Sequence, residues 1–237
     1  MRIIAWVIIV IASTVLSAAA EDVDLELVLL ADASRSIDDA EIRFQRRGYA
    51  DAIPHPDVLG AIDQGFRQRI AVTYVEWGDA ASQEVVVPWM IIDGEETANT
   101  FAAALLEAPR LAFGPNAIGN ALSVARNLIE TNDIDAFRRV IDFSGDSANS
   151  FNGIPISVAR ASVLAADITI NGLAILCRLD DCGGRPNLYD LEDAFAKTII
   201  GGPGSFVVTV DDQLSFADAV RRKLILEIAE VAPSVLQ

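Results

Sequence analysis

Residues 24–36 read DLELVLLADASRS, and this stretch decides how the rest of the chain is interpreted. Its apolar run, bounded by polar residues, is typical of a strand buried on both faces of a parallel sheet. Asp32, Ser34 and Ser36 follow the carboxyl end of that strand, which is where ligands bind in open α/β sheets. A carboxylate and two hydroxyls suit a hard cation such as Mg²⁺. Alternatively, these side chains only cap the following helix, with Ser36 as its N-cap.

Apolar, β-rich runs alternate with helix-like segments along the remaining sequence. This alternation predicts an α/β fold, in which one domain over residues 21–237 contains a doubly wound, mostly parallel six-stranded sheet covered on both faces. The run at 84–92 contains Pro88, which cannot donate a ladder hydrogen bond. We therefore expect this run to be an antiparallel edge strand, joined by a short turn to the strand at 69–77.

The first 20 residues predict a signal peptide. Arg2 precedes a short apolar run, and a small-residue motif ends at Ala20. The apolar run falls short of the roughly 20 residues that a membrane span needs, and no later stretch qualifies. We therefore expect a periplasmic or secreted protein with no membrane span after cleavage. In such an oxidising compartment, Cys177 and Cys182 of the CRLDDC segment are expected to form a local disulfide.

The charge balance narrows the range of partners. The chain has 34 acidic and 18 basic residues, a formal net charge of −16. Nucleic acids and anionic membranes need basic surface, so neither is an expected partner. The single histidine, His55, stands between two prolines, where we expect a surface position, and a histidine-based catalytic triad would depend on it.

Three further polar residues lie at or near predicted strand and helix ends. Asn116 follows a Gly-Pro pair just before a helix predicted from about 117 to 129, where it can cap the helix or offer its amide oxygen to a cation. Asp146 follows the predicted strand 138–144. Asp142 falls inside that strand, where a buried acid needs a partner. It either supports the cation site or is paired within the fold, and the sequence slightly favours the second.

Together these residues resemble the metal-ion-dependent adhesion site (MIDAS) of von Willebrand factor A (vWA) domains. The resemblance rests on Asp32-x-Ser34-x-Ser36 after the first strand, a polar residue in a glycine-containing loop, and an aspartate after the fourth strand. It extends over nearly the whole mature chain in the order of its elements. The segments FSGD, GPNAIGNAL and IIGGPGSFVV are also similar to a group of uncharacterised exported bacterial proteins built on this domain.

The resemblance implies a ligand set and a function. The implied ligands of Mg²⁺, or of Mn²⁺ or Ca²⁺, are Asp32, Ser34, Ser36, Asn116 and Asp146. Asp142 and Ser144 would not bind the cation themselves but would contact the residues that do. Asn116 stands where the family usually has threonine. A partner's Asp or Glu carboxylate would complete the coordination of the cation.

Three functions follow from these residues. The first is an exported binding module that recognises an acidic group on a protein through a MIDAS-type cation. The second is a metal-dependent hydrolase or phosphatase, because a strand-end aspartate is also found in phosphotransferases, although Ser34 stands where those enzymes often have a second aspartate. The third is a structural domain without a metal. The first is the predicted function, and we expect no catalytic residues.

Overall fold

Six strands form one sheet in the spatial order β3-β2-β1-β4-β5-β6. The computed structural model describes residues 21–176, 189–210 and 216–229. The strands are β1 (Glu21–Asp32), β2 (Ile70–Trp77), β3 (Gln83–Ile92), β4 (Ile134–Gly145), β5 (Thr169–Ile175) and β6 (Val207–Val210). The helices in the described ranges are α1 (Asp39–Ala52), α2 (Pro56–Asp63), α3 (Glu95–Glu107), α4 (Ile118–Glu130), α5 (Ile156–Ala165), α6 (Leu191–Thr198) and α7 (Phe216–Ile228). Among these six strands, only β3 is antiparallel to its neighbour. The predicted fold class is therefore confirmed.

Strand β1 is buried on both faces, as its continuous apolar run predicts. Leu25, Leu27 and Leu29 join one core cluster with side chains of α1, α3 and α7. Val28 and Leu30 point to the opposite cluster, which contains side chains of α4, α5 and α6. Each fully buried side chain of this size contributes about 1.5–3 kcal/mol relative to exposure. The strand that carries Asp32 at its end is thus fixed from both sides.

The two edges of the sheet differ in length. Strand β3 forms one edge, and it contains Pro88, as predicted. Strand β6 forms the other edge and spans four residues. The edge that is long enough to pair with another chain therefore lacks one N–H donor.

One helix was not predicted. Helix α2 begins directly after His55, whose ring Nδ1 accepts a hydrogen bond of 3.2 Å from the Asp57 N–H. The other ring nitrogen, Nε2, lies 2.9 Å from the Arg221 guanidinium. The single histidine therefore lies at the surface, with about a third of its side chain exposed, and has a structural role at a helix start.

Some predictions fall outside the described residues. The signal peptide at residues 1–20 and the Cys177–Cys182 disulfide both do, so both stay predictions. Within residues 21–176, 189–210 and 216–229, no helix combines the length and apolarity that a membrane span requires.

Candidate metal centre

The register of the sheet brings the ends of β1 and β4 together. Asp32 is aligned with Trp77 of β2, and Ala31 is aligned with Ser144 of β4. A Cβ added to Gly145 would lie 3.2 Å from Asp32 Oδ2, so the carboxylate points at the backbone that leads into Asp146. Strands β1 and β4 are adjacent at the centre of the sheet, at the switch point where ligands bind in this type of fold.

Backbone hydrogen bonds tie the surrounding loops to one another. The Arg35 N–H, in the loop after β1, donates to Gly114 O at 2.8 Å. The Phe151 N–H, in the loop after β4, donates to Asn116 O at 2.8 Å. The segment before α4 is thus bonded to the loops after both strands. This network brings Asn116 to the same rim of the sheet as Asp32 and Asp146.

The Asp32–Ser36 loop does not cap α1. The N-cap is Asp38, whose carboxylate accepts hydrogen bonds from the Ala40 and Glu41 N–H groups at 2.7 and 2.9 Å. The Glu41 side chain accepts one in return from the Asp38 N–H at 2.7 Å, completing a capping box. Ser36 as N-cap is therefore wrong, because Asp38 has a box partner three residues later. The polar side chains of the Asp32–Ser36 loop are therefore not used to cap α1 and can serve as ligands of a cation.

Asn116 does not cap α4 either. The N-cap position of this helix is Ala117, and no side chain caps it. Asn116 lies one residue further out and is 5% exposed. The helix begins one residue later than predicted because the Asn116 carbonyl is bonded to Phe151 instead of to the helix.

Asp32 is a fully buried acid whose two carboxylate oxygens differ in their hydrogen bonding. Its Oδ1 accepts a hydrogen bond of 2.8 Å from the Ser34 N–H. Its Oδ2 is buried and receives no well-formed hydrogen bond from the described residues. Burial raises the pKa of Asp32 to about 8, and the nearby charge of Asp146 contributes to the shift, whereas hydrogen bonds from Ser34 and from the Asp146 backbone oppose it. A cation would stabilise the ionised form of this carboxyl.

Asp146 and the two serines complete the cluster. Ser34 Oγ and Ser36 Oγ lie 3.4 Å apart. Burial raises the pKa of Asp146, and hydrogen bonding with the Ser36 side chain and with Asp32 opposes that shift. The contacts of Asp32 and Asp146 therefore join two segments that are more than 100 residues apart in sequence.

The donor set fits a hard divalent cation. Two carboxylates would balance the charge of the ion, and two hydroxyls would add neutral oxygen ligands. No group of three or more His, Cys, Asp or Glu side chains suited to a metal ion is found in the described ranges. The candidate site therefore depends on its serine hydroxyls as much as on its carboxylates.

Sequence reasoning missed the residue that holds the loop after β1. The Arg110 guanidinium donates hydrogen bonds of 2.9 Å to the carbonyls of both Ala33 and Ile37. It also forms an ion pair of 2.8 Å with Asp39. Nothing in the local sequence distinguishes this arginine, because these three partners lie more than 70 residues away.

Asp142 belongs to a separate buried cluster. Its Oδ1 lies 2.7 Å from Lys223 Nζ of α7, and Lys223 also contacts Glu227. Asn171 of β5 donates a hydrogen bond of 3.0 Å to Glu227 Oε1. These side chains are at most 3% exposed. Asp142 is thus paired within the fold, whereas Ser144 lies buried beside Ala31 in the sheet register.

A cavity lies at the opposite end of the sheet. It has a volume of about 480 Å³ and is lined in part by Val140, Thr169 and Phe206, near the amino ends of β4 and β5. None of the five candidate ligands lines it. The candidate metal centre is instead at the carboxyl end of the sheet, where Asp32 and Ser34 are buried and Ser36 is exposed.

Solved structures of vWA domains share this fold. The aerotolerance-related membrane protein from Bacteroides fragilis NCTC 9343, solved with multiple mutations to serines, is 16% identical, with a TM-score of 0.53 over 87% of this chain and 100% of that chain. Proximal thread matrix protein 1 from the mussel byssus, solved with a zinc-occupied MIDAS motif, is 15% identical, with a TM-score of 0.60 over 90% of this chain and 50% of that chain. The vWF domain of the type V pili tip protein Mfa5 from Porphyromonas gingivalis is 11% identical, with a TM-score of 0.53 over 87% of this chain and 95% of that chain.

At these identities the likeness establishes the fold and not the activity. No curated protein matches the sequence. The family model described as "Protein of unknown function (DUF1194)" matches residues 22–232, which is most of the chain. The chain therefore belongs to this family, and its domain has the von Willebrand factor A fold.

Proposed function

We propose that the protein is an exported binding module that uses a divalent cation to recognise an acidic group on a protein partner. The observation that carries this proposal is the meeting of Asp32 and Asp146 with two serine hydroxyls at the carboxyl end of the sheet. The buried Asp32 Oδ2 has no well-formed hydrogen bond among the described residues, which supports a cation at this place. Mg²⁺ is the proposed ion, and Mn²⁺ or Ca²⁺ would suit the same oxygens.

Each side chain has a part in the proposed site. Ser34 and Ser36 would bind the ion through their hydroxyls, and Asp32 and Asp146 would bind it directly or through water. Asn116, held at the same rim by its backbone, would offer an amide oxygen. The ion would supply a positive centre that a partner's carboxylate can coordinate. The protein's own residues position the ion and keep its loop fixed.

The structural relatives support a role in adhesion or assembly. One is a pili tip protein and one is a byssus matrix protein whose MIDAS held zinc. These are properties of those proteins. For this chain they favour recognition of another protein, outside the cytoplasm, over catalysis.

The test is a calorimetric titration of Mg²⁺ and Mn²⁺ into the wild-type protein and an Asp32→Ala variant. We expect saturable binding to the wild type and a loss of at least tenfold in affinity for the variant, because one charged ligand is removed. The matched control is Asp22→Ala, which removes an exposed aspartate from the other end of β1 and should leave the affinity unchanged. Negligible binding by all three proteins would refute the proposed site.

A further inference from the structure

Three exposed aromatic side chains lie on segments that are bonded to the loops of the candidate metal centre. Phe113 is 52% exposed, Phe151 is 71% exposed and Tyr189 is 39% exposed. All three lie on segments at the carboxyl end of the sheet: one before α4, one in the loop after β4, and one at the start of α6. We call these three residues the aromatic frame. Large apolar side chains that cluster on a surface mark sites of interaction with other proteins.

Phe113 is fixed to the loop that carries Asp32. The Arg110 guanidinium lies 4.7 Å from the centre of the Phe113 ring. The same guanidinium donates hydrogen bonds to Ala33 and Ile37, on either side of Ser34 and Ser36. The Phe113 N–H donates to Ser82 Oγ at 2.9 Å. This ring therefore has a defined place beside the first metal-site loop.

Phe151 and Tyr189 are fixed to the other two loops of the site. Phe151 is bonded through its N–H to Asn116 O at 2.8 Å. The Tyr189 hydroxyl accepts a hydrogen bond of 3.1 Å from the Ala148 N–H and lies 3.4 Å from Ser147 Oγ. Ser147 directly follows Asp146. Each of the three metal-site segments thus has its own exposed aromatic neighbour.

The charge of the protein argues against a strongly acidic partner. With 34 acidic and 18 basic residues, the chain would repel a run of Asp and Glu over a broad area. A single carboxylate on a bound cation avoids most of this repulsion. Apolar contact can supply the remaining affinity without any charge repulsion, and exposed aromatic side chains supply it at low conformational cost.

From these observations, and resting on the proposed function, we infer that the partner offers one carboxylate flanked by bulky apolar side chains. The carboxylate would reach the cation, and its apolar neighbours would pack on the aromatic frame. This assigns specificity to Phe113, Phe151 and Tyr189, and metal binding to the oxygen ligands.

The test uses a displayed peptide library with one fixed Glu or Asp and four randomised positions on each side, selected on the protein in Mg²⁺ and eluted with EDTA. We expect enriched peptides to carry Phe, Trp, Leu or Ile within three positions of the fixed acid. A synthetic copy of the most enriched peptide should bind Phe151→Ser and Phe113→Ser about tenfold more weakly each than the wild type. The Mg²⁺ affinity of both variants should be unchanged.

The matched control is Phe66→Ser. Phe66 is 88% exposed and lies at the amino end of β2, away from the candidate site. Its replacement should leave peptide affinity unchanged. If Phe113→Ser fails to fold, Phe151→Ser alone decides the outcome, because the Phe151 side chain is more exposed and its backbone hydrogen bond is retained.

The outcomes separate the two proposals. Mg²⁺-dependent peptides with polar flanks, bound equally by the Phe151→Ser and Phe66→Ser variants, would overturn the inference and leave metal-dependent recognition intact. No Mg²⁺-dependent peptide, together with equal metal binding by the wild type and Asp32→Ala, would overturn both. Mg²⁺-dependent dimers in sedimentation velocity that Phe151→Ser abolishes would mean that a second copy of the chain covers the frame, which would also overturn the inference.

Discussion

Asp32 and Asp142 are buried aspartates on the neighbouring strands β1 and β4, and burial raises the pKa of both. They differ in how the fold balances their charge. Asp142 lies 2.7 Å from a buried lysine, Lys223. Asp32 has a serine N–H on one oxygen and, among the described residues, no well-formed hydrogen bond on the other. A buried aspartate that is paired with a lysine contributes to the stability of the fold. A buried aspartate without a basic partner can instead bind a metal cation.

Replacement of the buried lysine, Lys223, should have the largest effect on stability. Lys223→Met leaves Asp142 and Glu227 buried beside each other, so we expect the free energy of unfolding to fall by about 3–5 kcal/mol. Urea denaturation at pH 7 measures this. Lys197→Met is the control, because Lys197 is exposed and its ion pair within the described ranges is with Asp193 on the same helix, where such pairs contribute less than about 0.5 kcal/mol. Equal losses in the two variants would remove the structural role assigned to Lys223.

The second largest effect concerns how magnesium changes the free energy of unfolding when Asp32 or Asp142 is replaced. Magnesium at about 100 times its dissociation constant should raise the free energy of unfolding of the wild type by about 2.7 kcal/mol. Asp32→Asn should lose this increment, and without metal it should be about as stable as the wild type, because burial raises the pKa of Asp32 to about 8 and the carboxyl is then already mostly neutral at pH 7. Asp142→Asn should be less stable and keep the increment. Magnesium stabilisation that survives in Asp32→Asn would contradict the proposed metal centre.

The smallest expected effect concerns the pH dependence of the internal cluster. Burial raises the pKa of Glu227 to about 7, from an ordinary value of 4.5, with a further contribution from Asp142, while Lys223 and Asn171 oppose the shift. The folded state thus binds the Glu227 proton more tightly than the unfolded state. Its contribution to stability is full below pH 4.5 and is lost as the pH rises through about 7.

The Glu227→Gln variant isolates that contribution, because glutamine is neutral at every pH. Between pH 5 and pH 8, the free energy of unfolding of the wild type should fall relative to the variant by roughly 1–2 kcal/mol. Urea denaturation at both pH values, on both proteins, gives the difference. A wild type that gains stability relative to the variant over this range would show that Glu227 is ionised throughout and held by Lys223.

The same contrast explains what the sequence can predict. The central position of β1 follows from its unbroken apolar run, and the edge position of β3 follows from Pro88, since both depend on local properties of the chain. The convergence of Asp32 and Asp146 follows from the position of each at a strand end in a parallel sheet. These features need no knowledge of which side chains meet.

The internal cluster depends on contacts that the sequence does not display. Lys223 looks like a surface lysine of an amphipathic helix, and only its approach to Asp142, 81 positions away, shows that it is buried. The capping alternatives for Ser36 and Asn116 are wrong for a related reason. Ser36 and Asn116 are both good capping residues, but Asp38 has a box partner in Glu41, and Asn116 is held by the loop after β4.

The proline in β3 bears on how this protein can join others. Some secreted assemblies grow when one subunit inserts a strand beside the sheet of the next, using a continuous row of backbone donors and acceptors. Here one margin of the sheet carries Pro88, which breaks that row, and the other is a strand of four residues. Lateral strand exchange is therefore disfavoured. Under the proposed function, association would instead use the loops at the carboxyl end of the sheet, and withdrawal of the metal would reverse it.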